Sequence, residues 1–176
     1  MSKSDSMVVG IVVERRKLDN PWVDHSWHVV AVIPGAPVVD EWVELRRGEG
    51  WVQFHARTLP IALFRGETEG YKYNLSLDPP RIYVVLREAD EADDHEVEPF
   101  LATVCPYEAQ DYMDSGDEIV ETSAMPEPVM AWLAAFVERH HVDRPFVKRK
   151  RKPYDPREWG ADGTPRAGRR RGGGHG

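Results

Sequence analysis

The sequence has almost no cysteine. Cys105 is the only one in 176 residues, which excludes an internal disulfide and any cysteine-built zinc or iron–sulfur centre within one chain. Also missing is an apolar run approaching the roughly 20 residues that a membrane helix needs. The opening "MSKSDSMVVGIVVERR" has a short apolar segment that ends in charge and no small-residue cleavage site, so it does not read as a secretory signal. A cytoplasmic protein with no membrane contact is the expectation. There is no GxxxxGK[ST] phosphate loop, no GxGxxG turn after a strand and no GxSxG nucleophile elbow. Cys105 lies in the apolar "FLATVCPYEAQ" with no base nearby in the chain, and reads as a buried thiol rather than a nucleophile. No residue is therefore assigned a catalytic or cofactor-binding role, and the balance is against an enzyme.

What the chain does have is charge, unevenly spread. The net charge is −7. From Val147 onward there are ten Lys and Arg against three acids, a surplus of seven, which leaves residues 1–146 at −14. That split divides the chain into a globular domain over 7–146 and a basic, Pro/Gly-rich tail over 147–176, whose apolar content is too low for independent folding and implies disorder.

Within the domain the hydrophobic period is mostly two. Strands are predicted over 7–16 ("MVVGIVVERR") and 26–33 ("SWHVVAVI"), joined through the turn signal Asn20-Pro21. A hairpin follows, 41–47 and 51–57, turning at "RGEG", with Val52, Phe54 and Ala56 facing in and Gln53, His55 and Arg57 facing out. Leu59, Ile61 and Leu63 continue the alternation, and Pro60 marks an edge or a bend. Thr68, Tyr71 and Leu75 switch to helical spacing. Strands are predicted again at 81–88, in "PFLATVC" and in "DEIVET", with a short helix in "PYEAQDYMDSG", proline first and glycine last. The acidic "ADEADDHEVE" reads as a solvated loop. The clearest helix is 126–141, where Val129, Trp132, Leu133, Phe136 and Val137 form one apolar stripe. The expected fold is α+β: a mostly antiparallel sheet of about six or seven strands, open to closing toward a barrel, with this C-terminal helix packed across it.

Four groups of residues invite a functional reading. His25 and His28, with Asp24, suggest a metal site, but positions 25 and 28 of an extended strand face opposite ways. A structural role, with Trp27 and Val29 turned into the core, is the stronger alternative. Pro21-Trp22, in the loop before the strand, offers a rigid aromatic anchor for a partner, since tryptophan is enriched at binding hot spots. His140-His141 at the end of the long helix reads as dipole-complementing cations in solvent. The run Lys148, Arg149, Lys150, Arg151 and Lys152 attracts polyanions. Nucleic acid is one such ligand, with Tyr154 and Trp159 for stacking, but a −14 domain repels a phosphate backbone, so protein contact is favoured, with an acidic patch on a partner or with the acidic domain itself.

Several segments together resemble an uncharacterised bacterial family known as domain of unknown function 3305. They are "IVVERRKLDNPWVDHSWHVVAVIPGAP", "RGETEGYKYNL", "RIYVVLR", "PYEAQDYMDSGDEIVE" and "FVKRKRKPYDP", and the resemblance spans roughly residues 7–152. It implies genes set beside those of molybdenum-dependent formate dehydrogenase and its maturation factors. An accessory or adaptor protein contacting formate dehydrogenase subunits or maturation factors is the resulting expectation. Some family names point instead to molybdopterin guanine dinucleotide synthesis. Such a nucleotidyltransferase would open with a glycine-rich loop after its first strand, and "VVGIVVERRKLDNP" is not one. A pterin- or nucleotide-handling protein stays open as the alternative, and nucleic-acid binding through the tail as another.

Overall fold

The computed structural model describes residues 3–90 and 95–142. Seven strands and three helices follow one another as β1 (Asp5–Lys17), β2 (His25–Pro34), β3 (Val43–Gly48), β4 (Trp51–Leu63), α1 (Thr68–Leu75), β5 (Arg81–Glu88), β6 (Val97–Thr103), α2 (Pro106–Ser115), β7 (Ile119–Ala124) and α3 (Glu127–His140). The strands form two antiparallel sheets, a four-stranded one ordered β2-β1-β4-β3 and a three-stranded one ordered β6-β5-β7.

The expected α+β class is what the chain adopts, but the strands do not close into a barrel. Instead the sheets face each other, and β4 runs close to β6 and β2 close to β7. Side chains span both seams: Arg57 donates to the Pro99 carbonyl at 3.0 Å, and His28 Nδ1 lies 2.7 Å from Glu121 Oε1. The core fills the space between, with Val9, Ile11 and Val13 of β1, Leu59, Ile61 and Leu63 of β4, and Ile82, Val84 and Leu86 of β5. Tyr83 and Val85, on the other face of β5, are also buried, with α2 packed against that strand. Pro106 opens α2, and Gly116, at φ 72°, ends it in the left-handed conformation that glycine adopts without strain.

Helix α3 lies beside α1. Its Val129, Leu133 and Phe136 are buried in the common core as the apolar stripe requires, and Trp132 donates its indole N–H to Asp5 at 3.0 Å. Pro60 sits where β4 has outrun β3, whose pairing stops at His55, so the missing N–H disturbs no ladder on that side.

The in-and-out alternation fails along β3, where Val43 and Leu45 are exposed with the rest of the strand, and at His55. His55 was expected on the solvent side and is 5% exposed. The register shifts near Ala56, and the segment after Gly35 folds over the outer face of the large sheet, putting Ala36 and His55 against Gly10. A Cβ on Gly10 would stand 2.7 Å from Ala36 Cβ and 2.8 Å from His55 Nε2. The end of the acidic loop is packed as well, because the His95 ring stacks on Trp42 at 3.9 Å and Glu96 accepts from the Trp27 indole.

Asn74 ties α1 to one end of the small sheet, where β5 begins beside the end of β6. Its side-chain amide donates to the carbonyls of Arg81 (2.7 Å) and Val104 (2.9 Å) and accepts from the Arg81 N–H (2.9 Å), with no exposure to solvent. Removing it strands three backbone groups, one of them the carbonyl of the buried Val104. Asn74→Ala should lower stability by about 3 kcal/mol, read as a lower urea midpoint at unchanged slope.

Candidate functional site

The face of β1 that carries Val9, Ile11 and Val13 changes character at its end. Arg15 and Lys17 continue the same alternation, so two cations follow three core residues on one line. Arg15 is half-buried, its guanidinium 6.0 Å from the Trp27 ring and 5.6 Å from Phe54, inside an aromatic cluster with Trp42 and His95. Trp27 therefore does turn inward beside the buried Val29.

Two hairpins finish at this end. The Lys17 N–H donates to the Gly50 carbonyl at 2.7 Å and joins the β1–β2 loop to the β3–β4 turn. Gly50, at φ 76°, makes that turn possible. The Trp51 indole lies over Gly48, where a Cβ would come within 2.4 Å of it, and the Arg46 guanidinium is 5.7 Å from the centre of the same ring. Between the hairpins is a cleft of about 180 Å³ lined by Arg15, Lys17, His25, Arg47 and Trp51. Arg47 is ion-paired to Glu44. The Arg47 hydrogen bond holds the Glu44 carboxyl below its usual range, and the charges of Arg47 and Arg15 pull the same way against slight desolvation.

The loop over 18–24 leaves from Lys17 and returns at His25, so both of its feet line the cleft. It is closed by Leu18 N–H to the Asp24 carbonyl at 2.9 Å. The Trp22 N–H donates to Asn20 Oδ1 at 2.9 Å, an Asx turn next to the fixed φ of Pro21. Trp22 itself is 89% exposed. His25 and His28 diverge: His25 faces the cleft near Trp27, while His28 reaches Glu121 on the small sheet. Among the described residues no group of three or more His, Cys, Asp and Glu side chains is placed to hold a metal ion. The tail cations Lys148, Arg149, Lys150, Arg151 and Lys152 lie outside the described residues.

A second cleft, of about 300 Å³, has the opposite sign. Glu67, Glu69, Glu108 and Asp111 surround it, with Cys105 and Tyr107 in its wall. Burial raises the Glu108 carboxyl, Glu67 and Asp111 add to the rise, and a hydrogen bond from Thr103 opposes it. Cys105 is 3% exposed, and burial first, then the carboxylates of Glu67 and Glu108, push its thiol up against the amides of Glu108 and Tyr107. This is an unreactive thiol at neutral pH. His140 is not a simple solvent cation: its ring packs 4.5 Å from Phe136, and desolvation, then Arg65 and Arg139, disfavour its charge. His141 is within 3.0 Å of the Thr68 hydroxyl.

The sequence reading picked out Pro21 and Trp22 and missed Arg15, Lys17, Arg47 and Trp51. The available signal was the odd-numbered continuation of β1 from Val13 to Lys17. The rest depended on two hairpins ending side by side.

Two outcomes test this chemistry. Cys105 should resist a thiol reagent in the native protein and react fully in urea; rapid native labelling would contradict its burial. Because the Glu108 carboxyl is raised in the folded protein, ionising it costs stability above its folded pKa and nothing below the unfolded value. Glu108→Gln should therefore raise the denaturation midpoint at pH 7, and the gain should vanish near pH 4.

No curated protein and no solved structure matches the chain. A family model described as "Protein of unknown function (DUF3305)" matches residues 8–150, a span that includes both hairpins and both clefts, and the chain belongs to that family.

Proposed function

We propose that this protein is a non-enzymatic accessory protein that docks a protein partner on the hairpin end of its large sheet. The observation that carries this is Trp22, 89% exposed on a loop braced by Pro21, the Asn20 turn and the Leu18–Asp24 hydrogen bond. An indole left in water forgoes several kcal/mol of burial. The loop backbone that carries it is held by these bonds, so binding has only the side chain left to order, which suits an anchor. The neighbouring cations of Arg15, Lys17 and Arg47 suit a partner of opposite charge. The partner proposed is a subunit or maturation factor of a molybdenum-dependent formate dehydrogenase, following the association that the family resemblance implies.

A pterin- or nucleotide-handling role draws support from the same cations, which would suit a phosphate. Two volumes weigh against it. The basic cleft is about 180 Å³, below the ~300–1,000 Å³ of clefts that enclose such ligands. The larger cleft, at about 300 Å³, is acidic and would repel phosphate.

The test is co-purification of the full chain from native cells, with formate dehydrogenase subunits and their maturation factors quantified by mass spectrometry. Trp22→Ala should lower their recovery about tenfold or more, the effect of losing a hot-spot residue. A second variant with Lys148–Lys152 changed to alanine reports the contribution of the tail. Full recovery with Trp22→Ala would remove the loop from the interface.

A further inference from the structure

We infer that the cleft between the two hairpins is a seat for a carboxylate side chain of an acidic peptide segment, held by Arg15, Lys17 and Arg47 beside the Trp51 ring. This rests on the docking reading above and names what the partner brings to it. Four observations converge on it.

Among the described residues no carboxylate forms an ion pair with Arg15 or Lys17, whereas other cations at the same end are engaged: Arg16 with Glu14, Arg47 with Glu44. Arg15 is half-buried, its guanidinium 6.0 and 5.6 Å from two aromatic rings, and it lines the cleft. A guanidinium fork there suits a planar carboxylate.

Glu44 already plays the ligand's part from the rim. It takes the Arg47 guanidinium and lies within the electrostatic reach of Arg15. An incoming carboxylate competes with it for the same cations.

The volume, about 180 Å³, admits one side chain and not a nucleotide. Finally, the cleft is a local reversal of sign on a domain whose residues 1–146 sum to −14. A nucleic-acid strand would run from the cleft onto repelling surface. A peptide places one or two carboxylates and continues with other residues, among them apolar ones that Trp22 can cover.

The experiment is NMR titration of the full chain with a short poly-glutamate peptide, following the Trp51 indole N–H and the Arg15 and Arg47 Nε–H signals. Saturable shifts of these signals that collapse at high salt are expected. Lys17→Ala should weaken the fitted Kd about two- to five-fold, and Glu44→Gln, by removing the internal competitor, should tighten it by a similar factor. Neither residue packs in the core, so both variants should fold as the parent does.

Binding with the Trp51 and Arg signals unmoved would overturn the assignment, since the peptide is then held elsewhere, by the tail cations. Equal Kd in the parent and both variants would overturn it too. Tighter seating of a short oligonucleotide at the same signals would replace the acidic peptide with a phosphate backbone. Trp22→Ala separates the two readings. Poly-glutamate seated in the cleft while Trp22→Ala keeps all partners would leave the carboxylate seat standing without the Trp22 anchor. Partner loss with Trp22→Ala and no peptide at the cleft would do the reverse.

Discussion

Strand β1 is hydrogen-bonded along both edges, to β2 and to β4, and from Val9 to Val13 it is covered on both faces. The rest of the structure is arranged around that constraint. A one-residue slip would move Val9, Ile11 and Val13 onto the side where Ala36 and His55 leave no room for a Cβ at Gly10. Once the register is set, alternation alone carries the core line onward to Arg15 and Lys17. The small sheet and α3 complete the core over the apolar part of that line. Beyond it Arg15 is received by Trp27 and Phe54, a polar end-plug whose ring contacts offset part of the cost of half-burying a guanidinium.

The same construction explains why the hairpin end carries exposed and charged residues instead of core residues. Two tight connections, the Asn20–Pro21 loop and the Gly48–Gly50 turn, finish side by side and are joined by the Lys17–Gly50 hydrogen bond. The Leu18–Asp24 and Trp22–Asn20 hydrogen bonds hold the first of them locally. Trp22 is exposed, Trp51 leans over a glycine, and the cations line the space between. The acidic cleft near Cys105 forms differently, at the meeting of α1 with the start of α2, where Gly70 lets Cys105 and Tyr107 approach to within 3.2 Å of where its Cβ would be. The domain thus carries two clefts of opposite sign.

Much of this was legible in the residues. All seven strands and three helices follow from period, proline and glycine, because each is a local property of the chain. Pro106 and Gly116 bracket α2 as their backbone preferences require, and the α3 stripe buries Val129, Leu133 and Phe136. The errors have one kind of cause. His55 and His95 look polar and solvated when judged by type, yet neighbours distant in the chain pack against them. Closure toward a barrel was open on strand count alone, and the sheets instead stay separate with Arg57 and His28 reaching across the seams. Asn74 gave no sequence signal at all, since its three bonds go to backbone at Arg81 and Val104.

By itself the sequence determined the elements, the inward turn of Trp27, the divergence of His25 from His28 and the prominence of Trp22 beside Pro21. These depend only on strand period, turn chemistry and the stiffness of proline, which act between near neighbours in the chain. The tertiary structure decided which cations share a cleft. Arg15, Lys17, Arg47 and Trp51 come from three strands, and nothing within any one of them says that the β1–β2 and β3–β4 hairpins end together. That is settled by the pairing of β1 with β4, a contact between residues some forty positions apart, held in register by a core that tolerates no slip.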